Sequence, residues 1–161
     1  MIDDIDKNIL AIIQRDGRES NAEIARQVGL APSAVLERIR KLEDRGIIRG
    51  YSASIDAKSV GFGLTAFVFV RTNECGDGTD LKLAEIPEVL EVHDVAGEDS
   101  YLIKVRASDP EDLAHLLREK LKSIPSVVTT RTTVVLQTVK ETTALPLDRC
   151  TSPAPAKAKR K

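Results

Sequence analysis

The stretch from Asn21 to Gly46, NAEIARQVGLAPSAVLERIRKLEDRG, constrains this chain more than any other. Ile24, Ala25 and Val28 recur at the spacing of one helix face, and Val35, Ile39 and Leu42 recur on a second. Gly29-Leu30-Ala31 separates them. A glycine just past the last periodic residue can take the left-handed conformation that ends a helix. Pro32 suits a first helical position, where a missing N–H costs nothing. Asn21 is the expected N-cap of the first of these two helices. Upstream, Ile5, Ile9, Ile12 and Ile13 share one face of a helix running from about Asp3 to Asp16 and stopped by Gly17. Three short helices with a glycine turn before the third form the helix-turn-helix arrangement.

Burying Val35 and Ile39 fixes what the third helix presents. Its far face carries Ser33, Glu37, Arg40, Lys41 and Asp44, with Ala34 and Arg38 on the flanks. A helix of this size fits the major groove of duplex DNA. Ser33 and Ala34 suit a phosphate or a thymine methyl. Arg38, Arg40 and Lys41 suit phosphates or guanine, and Glu37 suits the cytosine amino group. With Asn21, these are the candidate DNA-contacting residues. A solvated or phosphate-facing position competes with base readout at each of them, and a plain three-helix bundle with a charged face is the alternative for the whole. Charge distribution favours the DNA reading. The chain nets −1, but residues 1–50 balance, residues 51–144 net −5 and residues 145–161 net +4. A basic stripe on a neutral unit suits a selective binder.

The rest of the chain changes period. IIRGYSASID alternates enough for a strand or hairpin, and SVGFG reads as a hinge. Leu64 to Thr72 is a strand apolar on both faces: Leu64, Ala66, Val68 and Val70 on one, Phe67 and Phe69 on the other. Such a strand needs two covers. A short helix at Leu81–Ile86, strands at Val89–Ala96 and Tyr101–Arg106, a helix opened by Asp109-Pro110 and a final strand at Val127–Val139 follow. That order, βαββαβ, is the ferredoxin-like pattern. The expected class is therefore α+β. Residues 1–50 are expected as a helix-turn-helix domain of winged-helix type, residues 51–63 as a strand and hinge, residues 64–141 as a ferredoxin-like domain, and residues 142–161 as a disordered basic tail.

Several function classes are disfavoured. At 42% hydrophobic and 30% charged residues, the chain has a globular composition. Its longest apolar run, Leu64–Val70, falls far short of the roughly 20 residues of a membrane span. No membrane partner is expected, and the acidic start MIDDIDK has no secretory pattern, so a cytoplasmic location is expected. Cys75 and Cys150 lack a CxxC partner and read as reduced bystanders. His93 and His115 have no carboxylate or thiol at motif spacing, and no P-loop, GxSxG or HExxH occurs. No catalytic residue, metal or cofactor is expected. Gly97-Glu98-Asp99-Ser100 is the one other group of interest. Two carboxylates and a hydroxyl at a turn suit an α-ammonium group, and backbone N–H groups suit a carboxylate. A solvated hairpin turn is the competing reading.

NAEIARQVGLAPSAVLERIRKLEDRGIIRGY resembles the signature of the Lrp/AsnC, or feast/famine, regulators. VAGEDSYLIKV and TTRTTVVLQTVKE are similar to strands of that family's effector domain. The resemblance runs in register from about Ile2 to Glu141. Two positions depart from it. Ala31 stands where a Ser or Thr usually caps the recognition helix, and Ser100 stands where an aspartate often precedes the aromatic. The resemblance implies a transcription regulator that dimerises through its α/β domains, often assembling into octamers, on a roughly palindromic A·T-rich duplex site. It also implies an amino-acid effector held between dimers by Gly97, Glu98, Asp99, Ser100 and Tyr101, with Thr132, Val134 and Leu136 as a pocket wall. Two alternatives stand beside it: a haem-pathway decarboxylase-like enzyme on the same fold, and a sensing module without DNA binding.

Overall fold

The structure is a computed structural model, and it describes residues 2–73 and 78–147. The described residues divide into two compact units. Residues 2–54 and 141–147 form one, and residues 55–140 form the other. Cys75, Cys150 and the basic tail from 148 onward lie outside the described residues.

The first unit holds α1 (Asp4–Arg15), α2 (Asn21–Val28) and α3 (Pro32–Asp44). A capping box opens α1: Asp3 accepts from the Asp6 N–H at 2.8 Å, and Asp6 accepts from the Asp3 N–H at 3.2 Å. The cap of α2 corrects the sequence reading. Ser20, not Asn21, is the N-cap, and its hydroxyl accepts from the Glu23 N–H at 3.1 Å. Asn21 is already the first helical residue, because the hydroxyl one position earlier reaches the third-position N–H from an extended backbone. Gly29 ends α2 at φ 71°, the left-handed region that favours glycine. Ile9, Ile12, Ile24, Ala25, Val35 and Ile39 form the buried centre, with Ile5, Ile13, Val28, Leu30 and Ile48 packed against it.

The stretch expected as a strand or hairpin after α3 is not one. Among the described residues no strand falls between 45 and 63. Arg49 to Asp56 are all exposed, so the alternation buries nothing in a single chain and no ladder forms. The start of the expected tail is also corrected. Residues 142–147 belong with the first unit, where the Gln14 amide accepts from the Leu145 N–H at 2.7 Å and donates to the Leu145 carbonyl at 3.3 Å.

The second unit runs β1 (Leu64–Thr72), α4 (Thr79–Ala84), β2 (Val89–Asp94), β3 (Tyr101–Ala107), α5 (Pro110–His115) and β4 (Val127–Val134). α5 continues as a π-helical segment, Leu116–Leu121. The sheet order is β2-β3-β1-β4 with every pair antiparallel, which is the ferredoxin-like arrangement. One face packs Ala66, Val68, Val70, Ile103 and Val105 against Leu83, Leu113, Leu116 and Leu121. Phe67, Phe69 and Leu102 occupy the other face, half-buried.

β4 stops five residues before the expected end. Its partner β1 begins at Leu64, so the ladder closes with the Val135 N–H donating to the Thr65 carbonyl at 2.9 Å. Beyond that bond β4 has no ladder partner among the described residues, and Leu136 is 98% exposed. β2 likewise ends at Asp94 instead of Ala96 because β3 begins at Tyr101.

Ile103 is wholly buried on a central strand. Ile103→Ala should lower unfolding free energy by about 2–5 kcal/mol through lost transfer energy and a residual cavity. Urea unfolding followed by circular dichroism checks this.

Candidate functional sites

Burial sorts the face of α3. Val35, Ile39 and Leu42 point into the unit, while Ser33, Glu37, Arg40 and Lys41 are exposed and Ala34 and Arg38 are half-buried. Lys41 donates to Glu37 Oε1 at 2.6 Å one helical turn away. That bond holds the Glu37 carboxyl below its ordinary range. Both side chains are about two-thirds exposed, at 65% and 68%, so the pair is weak and can be exchanged for other partners. Arg40 makes no ion pair with any described residue.

Arg38 behaves differently from its neighbours. Its Nη1 donates to Asp3 Oδ2 and to Asp6 Oδ1, each at 2.7 Å. The sequence reading placed Arg38 on the flank of a DNA-facing surface. The structure turns its guanidinium onto the first turn of α1, because two carboxylates already converge there at the capping box. The Asp6 N–H first, and then Arg38, hold the Asp3 carboxyl below its ordinary range.

Asn21 stands beside the exposed stripe, at the start of α2. It lines a shallow groove of about 250 Å³ with Ile13, Ile24, Arg40, Glu43 and Tyr51. The sequence reading gave Tyr51 no role. Its hydroxyl donates to Glu43 Oε1 at 3.0 Å, and its ring lies 3.4 Å from where a side chain would begin at Gly17. Partial burial and the Glu43 charge push its phenol up. Tyr51 thus ties the chain leaving α3 back to Glu43 of α3 and lies beside Gly17, just past α1.

The Gly97–Ser100 turn is held by two arginines that sequence reasoning missed. Arg71 Nε donates to the Glu98 carbonyl at 2.9 Å. Arg131 Nη2 donates to Asp99 Oδ2 at 2.9 Å, and Arg71 Nε stands 4.0 Å from Asp99 Oδ1. The Arg131 guanidinium also lies 4.4 Å above the Phe69 ring. Ser100 accepts from the Thr72 N–H and hydroxyl at 3.2 and 2.9 Å, and its own N–H donates to the Val70 carbonyl. The two carboxylates and the hydroxyl expected to suit an α-ammonium group are thus not equally available in the single chain. Asp99 and Ser100 are engaged internally. Only the Glu98 side chain, 93% exposed, stands in solvent, with Arg71 Nη2 at a long 3.5 Å from its Oε2. A side chain at Gly97 would meet open space in the single chain.

The other expected pocket residues spread away from this turn to different degrees. Tyr101 is buried with the core. Thr132 pairs with Val68 and Val134 with Ala66, whereas the turn bonds to Val70 at the far end of β1. Four residues of strand, about 13 Å, separate Val70 from Ala66. Leu136 lies past the strand end. Among the described residues, Val134 and Leu136 therefore stand away from the turn, while Thr132, opposite Val68, lies nearer to it.

With this geometry in place, comparison with known proteins is decisive. Residues 2–49 match the winged helix-turn-helix DNA-binding family, and residues 65–145 match the Lrp/AsnC ligand binding domain. The chain belongs to the Lrp/AsnC family. It is 39% identical over 148 residues to the HTH-type transcriptional regulator FL11 of Pyrococcus horikoshii, covering 91% of this chain and 97% of that protein. It is 38% identical over 148 residues to the leucine-responsive regulatory protein of Escherichia coli, covering 89% and 90%. The crystal structure of a Neisseria meningitidis transcriptional regulator in complex with L-methionine superposes with a TM-score of 0.87 at 35% identity, covering 92% of this chain and 98% of that one. This Lrp/AsnC protein is thus a transcriptional regulator with a DNA-binding unit and a ligand-binding unit, as the sequence led us to expect. Its relatives are regulators, which removes the decarboxylase alternative.

Ala31 caps α3 in this Lrp/AsnC protein with no side-chain hydrogen bond. Ala31→Ser should supply the missing acceptor and stabilise the first unit by about 0.5–1 kcal/mol. A higher melting temperature in differential scanning calorimetry is the expected result.

Proposed function

We propose that this regulator binds duplex DNA through the exposed face of α3, as a two-fold dimer that assembles further into octamers, and that an amino acid modulates its assembly or affinity. The observation that carries the DNA part is the adjacency of Arg40 and Lys41 on a helix whose opposite face is buried. Arg40 has no ion-pair partner among the described residues and Lys41 is only loosely held by Glu37, so both can neutralise phosphates without breaking the unit. Ser33, Ala34 and Glu37 stand on or beside the same face and are the proposed base-edge and phosphate contacts. Asn21 is proposed at the margin of that surface, from the start of α2. Two copies related by a two-fold axis read half-sites about 10 bp apart or a multiple of it, favouring A·T-rich palindromes.

The dimer is supported by the sheet. Phe67, Phe69 and Leu102 lie on its helix-free face, only half-buried, and a second sheet would complete their burial. Residues 1–50 are proposed as the DNA-binding domain, residues 64–141 as the effector and assembly domain, and the cytoplasm as the location; no described helix is long and apolar enough to cross a membrane. The effector reading draws on the L-methionine complex of the Neisseria relative. Gly97, Glu98 and the backbone of the turn are the proposed contacts, with Asp99 and Ser100 shaping it and Tyr101 anchoring it from the core. Thr132, Val134 and Leu136 are proposed to form the pocket wall, with Val134 and Leu136 facing the turn of another copy, since their own chain holds those two away from it.

Replacing Arg40 and Lys41 together by Ala should weaken duplex binding and lower the salt slope of log affinity by roughly 0.9 for each phosphate no longer neutralised. Unchanged binding by fluorescence anisotropy across a salt series would instead support a sensing module that does not use this helix. A thermal-shift screen of the twenty amino acids tests the effector. A bound ligand at 100-fold its Kd should add about 2.7 kcal/mol of stability, and a flat response across the set rejects an amino acid.

A further inference from the structure

We infer that Arg38 is a positioning residue: tied to the capping box of α1, it sets the rotation of α3 on which DNA recognition depends, and it is not itself a DNA contact. This rests on the proposal that α3 enters duplex DNA. Asp3 and Asp6 present four carboxylate oxygens, and each has a partner. Asp3 Oδ1 accepts from the Asp6 N–H, and Asp6 Oδ2 accepts from the Asp3 N–H. Arg38 Nη1 takes the two that remain, Asp3 Oδ2 and Asp6 Oδ1. The network is closed. Asp6 is buried, at 8% exposure, so moving Arg38 to a phosphate would strand a buried carboxylate without its cation. Arg40 and Lys41 have no such tie to lose.

The tie also acts where apolar packing is least directive. Val35, Ile39 and Leu42 form a narrow stripe along α3, which fixes its depth in the unit. A narrow apolar stripe resists rotation about the helix axis only weakly, because dispersion contacts carry little direction. Arg38 sits on the flank of that stripe. Two charge-assisted hydrogen bonds from one nitrogen to a rigid helix start supply direction. They anchor the recognition helix to a backbone that is itself fixed by its cap.

The sign of a charge deletion separates the two roles. If Arg38 were a phosphate contact restrained by acids, removing a carboxylate would free it and lift a repulsion, and binding would strengthen. If Arg38 positions α3, removing the carboxylate loosens the helix and binding weakens. The probe is a duplex selected by the wild-type full-length chain from a random-sequence pool, compared with a scrambled duplex well below the melting temperature. Asp6→Asn and Arg38→Gln should each weaken selected-duplex binding about tenfold, the worth of one charge-assisted hydrogen bond. Scrambled-duplex affinity and the salt slope should not change, and the double variant should be no weaker than Arg38→Gln. The inference is overturned if Asp6→Asn binds as tightly or more tightly, or if Arg38→Gln lowers the salt slope by about 0.9. It is also overturned if both variants melt earlier yet bind normally, since that is stability alone. Should either variant fail to fold, Asp3→Asn replaces it with the same readouts, because asparagine caps a helix as well as aspartate does. A wild-type chain that selects no duplex overturns the DNA reading and this inference with it. Weakened binding in Arg40→Ala/Lys41→Ala with normal binding in Asp6→Asn overturns this inference alone.

Discussion

A helix can show a fixed set of side chains to a large ligand only when its other face is immobilised, and the burial of Val35, Ile39 and Leu42 supplies the packing part of that requirement here. Everything in the first unit serves it. Ile9 and Ile12 of α1 and Ile24 and Ala25 of α2 build the surface that receives the stripe. Gly29 lets the chain reverse in one residue, and Pro32 starts α3 with its backbone already set. After α3, the Ile47 and Ile48 N–H groups both turn back to the Leu42 carbonyl, so the helix end is closed and Ile48 joins the core. The polar face is then what remains, and its chemistry is free to be chosen for recognition.

Pairing decides which of the remaining charges can act on a ligand. At both candidate sites carboxylates that look open in the sequence are occupied by arginines from elsewhere in the same unit. Asp3 and Asp6 hold Arg38, and Asp99 holds Arg131 with Arg71 close by. An internal pair that is partly buried is costly to break, because one charge is left without compensation. Arg40, which has no such pair among the described residues, and the exposed, loosely paired Lys41 and Glu98 are therefore the groups able to exchange water for a ligand at little cost. The tightly paired groups confer shape, and the loosely held ones confer contact.

How much of this could be read from the residues differs between packing and pairing. The three helices, the glycine turn, the sheet order implied by βαββαβ and the inward stripe of α3 all follow from period and punctuation, which are local. The family resemblance on GLAPSAVLERIRKLEDRG and VAGEDSYLIKV held across both units. What was not legible depended on partners distant in sequence. Arg38 meets Asp3 and Asp6 across more than thirty residues, and Arg131 meets Asp99 likewise. The Asp3–Asp6 spacing was a readable capping-box pattern, but nothing local says that a cation completes it. Ser20 and Asn21 are both good cap acceptors and stand side by side, so the sequence alone points as readily to Asn21, and only the backbone angle chooses between them. The end of β4 depended on where β1 begins, which is a register fact.

The same distinction bears on how a small molecule can influence a distant helix. A ligand shifts an equilibrium only through a difference in its affinity for two states. A turn whose acid and hydroxyl are satisfied internally offers few groups within one chain that change partners on binding. Val134 and Leu136, toward the other end of β4, add none to that turn. On the proposed assembly, groups able to distinguish states come from another copy, and a ligand at this turn would report on assembly. By thermodynamic reciprocity, whatever the ligand does to assembly, assembly does to ligand affinity. In the proposed dimer, a firmly held α3 in each copy would convert that assembly into geometry, since duplex DNA reads the spacing and direction of two recognition helices.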